Sequence, residues 1–233
     1  YISVLGFGMG NYRDDMIKTI ANKGNGNYAY IDNITEAKKV LINEFGGTFH
    51  TIAKDVKLQI EFNPKYVKEY RLVGYEDRLL NNEDFDDDQK DAGEIGSGHT
   101  VTVFYEIIPA DGKKENSLRY QDQELNSKGS KSSEIAFLKI HYKNPNPTLG
   151  KSIKISEPID FQLKEINNTS ENFRFAAAVA QFGMLLRNSE YKANATYQQT
   201  IDLAKNAIGK DEEGYRKEFI RLVESAKLLA KEK

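Results

Sequence analysis

Cysteine and tryptophan are both absent from these 233 residues. Without Cys the chain has no disulfide, no thiolate for a metal and no thiol nucleophile. Missing Trp takes away a side chain suited to stacking on sugars. A charge excess is missing too: the formal net charge is -2, whereas a nucleic-acid binder should carry a basic surplus. Long apolar runs are lacking. The run Ala176-Ala177-Ala178-Val179-Ala180 is far below the roughly 20 residues that cross a bilayer. What is present is an ordinary core-forming composition, 39% hydrophobic and 29% charged.

The chain opens at Tyr1 in what reads as mid-strand, so we expect an excised piece of a longer protein. Ile2 to Leu5 is apolar without alternation, as in a buried parallel strand. Asn11 is placed to cap a helix, with Asp14 and Asp15 in its first turn and Met16, Ile17 and Ile20 on its apolar face. Gly24-Asn25-Gly26 should stop it by a left-handed turn. Asn27 to Ile31 is a second strand. Thr35 should cap a second helix that Gly46-Gly47 ends.

After Thr48 the pattern changes. Val56, Leu58, Ile60 and Phe62 alternate as in a half-buried strand. Val67 to Tyr75, Thr100 to Ile108, Glu134 to Tyr142 and Lys151 to Pro158 read as further strands, and Gln121 to Ser133 as a mobile loop. Strands without intervening helices suggest an antiparallel sandwich. From Ser170 the chain turns helical. Phe173 to Leu186 is apolar nearly all round, which predicts a buried helix. Tyr197, Ile201, Ala204 and Ile208 form one stripe; Tyr215, Phe219, Leu222, Val223, Ala226 and Leu229 form another. The fold class expected is α+β: a partial α/β segment over 1-50, a β-sandwich over 51-165 and a helical segment over 166-233.

Several motifs invite chemistry. Gly6 and Gly8 followed by Asp32 fit part of a dinucleotide fingerprint, but its third glycine position is Asn11, and Gly10 does not replace it. A tight turn is the plainer reading of Gly6 to Gly10. Asp84, Asp86 and Asp88 have the alternate spacing of a calcium loop. Gln89 stands where that loop needs Gly, and Ile95 where it needs Glu. The stretch to Asp91 then reads as a solvated connector, with an adventitious cation site as the alternative. Ser97 and His99 lie in Gly96-Ser97-Gly98-His99, a turn without the nucleophile elbow. His50, His99 and His141 are scattered singly, against a histidine zinc site. Tyr66, Tyr70 and Tyr75 could stack on a carbohydrate. Asn167-Asn168-Thr169 and Asn194-Ala195-Thr196 match glycosylation acceptors, a short pattern that arises by chance. No catalytic, cofactor-binding or metal residue is assigned.

The segment ISVLGFGMGNYRDDMIKTIANKGNGNYAYIDNITEAKKVL resembles the end of a von Willebrand factor type A domain. TIAKDVKLQIEFNP, YRLVGYEDRLL, DFDDDQKDAGEIGSGHTVTVFYEI and FAAAVAQFGMLLR resemble the YfbK-type bacterial proteins, which add a C-terminal extension of unknown function. The resemblance runs from Ile2 to Leu229. It implies a non-catalytic protein-interaction or scaffold module of a lipid-anchored cell-envelope or periplasmic protein. The divalent metal of type A domains sits on Asp-x-Ser-x-Ser, a motif absent here. The resemblance places it upstream, so no cofactor is expected in this fragment. A protein partner is expected, with no nucleic acid, no transmembrane segment and self-association through the incomplete α/β sheet as a further possibility. The alternatives are a nucleotide-binding or enzymatic α/β domain using the Gly6 to Gly10 turn, and a carbohydrate-binding sandwich.

Overall fold

A computed structural model describes residues 2–8, 13–24, 26–75, 79–90, 92–110, 133–146 and 152–231. The expected loop Gln121 to Ser133 lies outside them except for its last residue, as do Gly10, Asn11, Asp91 and Lys151.

Strand β1 (Val4–Phe7) pairs in parallel with β2 (Tyr28–Ile31), joined by helix α1 (Asp14–Lys23). The cap of α1 is Arg13 rather than Asn11, and its side chain makes no capping bond. Gly24 ends the helix at φ -93°, so it does not itself take the left-handed conformation expected of this turn, whose Asn25 lies outside the described residues. These glycines are required by closeness. A Cβ on Gly26 would sit 2.2 Å from the Ile2 carbonyl oxygen, and one on Gly24 2.7 Å from the Ile2 side chain.

Helix α2 (Ile34–Lys38) is capped by Asn33, not Thr35; the Asn33 side chain accepts from the Glu36 amide at 2.9 Å. It widens into a π turn over Lys39–Asn43, and α3 (Phe45–Phe49) follows. The chain therefore continues helically through Gly46-Gly47 instead of stopping there.

Strand β3 (Thr51–Phe62) is longer than its alternating part. The remaining strands are β4 (Val67–Val73), β5 (Gly93–Gly96), β6 (Phe104–Pro109), β7 (Glu134–Lys143) and β8 (Ile153–Asp160). They form a four-stranded antiparallel sheet in the order β5-β3-β7-β8 and an antiparallel pair β4-β6. Helices α4 (Glu171–Leu186), α5 (Tyr197–Lys205) and α6 (Tyr215–Lys231) complete the chain. The fold is α+β, with antiparallel sheets and C-terminal helices.

Two compact units result. One holds β1 to β3, α1 to α3, β5, β7 and β8; the other holds β4, β6 and α4 to α6. The segment 51-165 thus contributes strands to both units.

In the helical unit, Ala178 and Phe182 of α4, Ile201 and Ala204 of α5, and Ile220 and Val223 of α6 form one buried cluster. Phe182 and Phe219 meet edge-on with centroids 5.6 Å apart. Each such side chain stabilises by about 1.5–3 kcal/mol when buried. Helix α4 is not buried all round: Phe173, Val179 and Leu186 remain exposed. Phe173 lies edge-on to Phe104 of β6, and the Arg71 guanidinium of β4 stacks 3.9 Å from the Tyr191 ring centroid.

In the four-stranded sheet, alternation puts Leu58, Ile60 and Phe62 of β3 level with Ile140, Leu138 and Ala136 of β7. The opposite face carries the polar residues. Register breaks between Lys54 and Lys57, where Asp55 and Val56 of β3 oppose the single residue Tyr142 of β7. Asp55 takes up this bulge at φ 49°, a conformation Asp tolerates better than most residues.

Candidate functional site

Past the bulge, three bases line up across the polar face. Lys57 of β3 pairs with His141 of β7, and His141 pairs with Lys154 of β8. The acidic segment Asn82–Lys90 crosses this row as a strap. Most of its side chains are exposed, as a solvated connector's are, but Phe85 docks it on the sheet.

The strap begins with a 3-10 turn at Asn82–Asp84. Phe85 follows and is only 6% exposed, its ring 5.9 Å from that of His141. The Lys57 ammonium, 3% exposed, donates to the Asp84 carbonyl at 3.1 Å and to that of Asp87. His141, also 3% exposed, places Nδ1 2.9 Å from the Phe85 carbonyl oxygen. Its Nε2 lies 3.3 Å from Asp88 Oδ1. That distance suits a pair, but the atoms are not aligned for a hydrogen bond, and among the described residues Nε2 has no hydrogen-bond partner.

Lys154 donates to Asp86 at 2.8 Å. This bond, more than any other influence, holds the Asp86 carboxyl below its ordinary value of 3.8. Lys143 donates to the Asp88 carbonyl at 2.6 Å and to Asp55 Oδ2 at 2.7 Å. Lys90 sits 3.3 Å from Asp84 Oδ1.

This geometry bears on the calcium reading. A calcium loop offers carbonyls and carboxylates to a metal. Here the carbonyls of Asp84 and Asp87 accept from Lys57 and that of Asp88 from Lys143, and Asp86 pairs with a third lysine, Lys154. Side-chain ammoniums supply the positive charge. Among the described residues, no group of three His, Cys, Asp or Glu side chains could hold a metal ion.

The other motifs are placed as follows. Gly8 adopts φ 81°, and its carbonyl accepts from the Tyr30 hydroxyl at 2.6 Å. Asp32 follows β2 and accepts from the Asn33 side chain at 2.7 Å. Helix α1 starts at Asp14, so two carboxylates occupy the turn where a pyrophosphate would need bare amides. Asp15 and Asp14 also face Arg13 and Lys18.

The Ser97 amide donates to the His50 carbonyl at 2.8 Å, and the His99 amide closes a turn on Gly96 at 3.1 Å. This segment is the end of β5 and its turn. Tyr70 and Tyr75 are exposed on the unit of β4 and β6, while half-buried Tyr66 belongs to the other unit. In the acceptor pattern at Asn194, Thr196 caps α5: its hydroxyl accepts from the Gln199 amide while Gln199 accepts from the Thr196 amide. Thr169 Oγ1 donates to the Ile166 carbonyl at 2.6 Å.

Sequence reasoning singled out the acids of the strap and missed their partners. The available signal was basic residues at the polar positions of alternating strands, Lys57 in β3 and Lys139, His141 and Lys143 in β7.

Residues 47–229 match the family model described as the C-terminal part of the uncharacterized protein YfbK. The chain belongs to this family. It is also 46% identical over 228 residues to the uncharacterized protein YfbK of Escherichia coli (strain K12). That match covers 97% of the chain and 38% of the relative, so the chain spans under two fifths of that relative's length. No solved structure matches. The family is bacterial in this match, and its described members carry no stated activity. Among the described residues, no helix is long and apolar enough to cross a membrane.

Proposed function

We propose that the chain is a non-catalytic protein-interaction module at the C-terminal end of a von Willebrand type A protein of the bacterial cell envelope, lipid-anchored at full length. The observation that carries this reading is the α/β segment. It consists of a parallel strand pair with two covering helical stretches, and a sheet of that size does not stand alone. Phe7 is 64% exposed and Ile34 84%. Ile2, Met16 and Ile42 are exposed as well. Large apolar side chains left exposed on so small a sheet and its helices suit a segment that further structure packs against. Further strands of a type A domain would cover it, and the YfbK-type relative is long enough to supply them.

In this reading the type A domain carries the metal-dependent contact with a protein partner, and the present chain holds it in place. The test is crosslinking of the full-length protein in bacterial envelope fractions, followed by reconstitution with the purified partner. Binding that needs Mg²⁺ and is lost in EDTA is expected. A partner bound equally in EDTA, or recovery of none, contradicts the reading. A nucleotide-dependent rise in Tm that Gly8→Val abolishes also contradicts it, in favour of a nucleotide site.

A further inference from the structure

The imidazole of His141 faces two oxygen atoms that can only accept. Nδ1 meets the Phe85 carbonyl oxygen at 2.9 Å, and Nε2 meets Asp88 Oδ1 at 3.3 Å. A neutral imidazole has a single N–H. Given to Phe85, it leaves a bare lone pair on Nε2 beside a carboxylate, and among the described residues this nitrogen has no hydrogen-bond partner. An imidazolium donates to both. Asp88 can complete the second bond by a side-chain rotation, because that side chain is 56% exposed.

We propose that His141 makes the strap Asn82–Lys90 a pH-sensitive latch. The latch is shut when the ring carries two protons and loosened when it carries one. Asp84, Asp86, Asp87 and Asp88 of the strap, with Asp55 of β3, favour the second proton. Lys57 of β3, Lys154 of β8, Lys139 and Lys143 of β7 and Lys90 of the strap oppose it. Lys57, Lys143 and Lys154 each bond a strap carbonyl or carboxylate. The Asp88 carboxylate is the acid in direct contact with the ring, at 3.3 Å. Opening would uncover Phe85 and His141, and so change the surface offered to a partner.

Hydrogen exchange of the peptide spanning Asn82–Gln89 tests this, with α5 and α6 as internal reference. After correction for intrinsic rates, protection should fall about tenfold between about pH 6 and about pH 8, the range in which imidazoles change charge. Asp88→Asn should keep the strap protected at both pH values, because the Asn amide can donate to a neutral Nε2. His141→Gln should abolish the pH dependence. Should that variant not fold, the ring ¹⁵N shifts of His141 in the unmodified protein replace it, and must show two N–H groups whenever the strap is protected. Strap protection that does not change with pH overturns the proposal. So does the same fall in Asp88→Asn, or a singly protonated ring under a closed strap.

Discussion

Lys57 and His141 stand opposite each other across β3 and β7, and they grip the same strap from below: Lys57 binds the carbonyls of Asp84 and Asp87, and His141 that of Phe85. The strap is therefore part of the sheet's packing. Replacing Lys57 by Met keeps the length and apolar stem but leaves two carbonyls without their donor. We predict a loss of about 1–3 kcal/mol in urea unfolding, the scale for a buried group left unsatisfied. Lys154→Ala, which breaks an exposed pair, should cost much less. Equal losses for the two variants would show that burial of Lys57 does not matter.

Asp86 gives the sign of a pH effect. Its carboxyl is held below the ordinary 3.8, chiefly by the hydrogen bond from Lys154. A depressed value in the folded state means that the pair's contribution is present above 3.8 and is lost as pH falls through the lower folded value. Lys154→Ala should bring the Asp86 midpoint back up towards 3.8 in a carboxyl NMR titration. An unchanged midpoint would remove Lys154 as the cause.

Gly96 is fixed by its neighbour Gly47. A Cβ at position 96 would lie 1.6 Å from the Gly47 carbonyl oxygen. Backbone has to move to admit it, so Gly96→Ala should destabilise by about 1–3 kcal/mol, lowering Tm. Gly93→Ala in the same strand meets nothing within 4 Å and should be nearly neutral.

Ala193 occupies φ 46°, ψ -126°, a region that suits glycine and strains other residues. The Ala195 amide closes this turn on the Lys192 carbonyl at 2.9 Å. Ala193→Gly should relieve more strain than it adds in chain entropy, a gain of about 1 kcal/mol. A lower Tm would contradict this.

Much of this fold was legible in the sequence, and the failures have physical causes. The alternation Val56 to Phe62 marks β3, whose successive side chains go to opposite faces of the sheet, and the stripe from Tyr215 marks α6, which buries Ile220 and Val223. Strand β5 was not legible: it has four residues, and Gly93 and Gly96 are two of them. Caps slipped by one or two residues, as between Thr35 and Asn33, since several oxygen-bearing side chains compete for the same amides. The docking of the strap on the sheet was not legible, because Lys57, His141 and Lys154 occupy positions that look solvent-facing in each strand taken alone. Only the register of β3, β7 and β8 brings them into one row, and register is a long-range property.

On the function proposed above, β1 and β2 belong to a larger type A sheet. Hydrogen exchange of the Val4–Phe7 amides, compared between this chain and the full-length protein, tests it most directly. The account predicts strong protection at full length and rapid exchange in the isolated chain. Equal exchange in the two would contradict it.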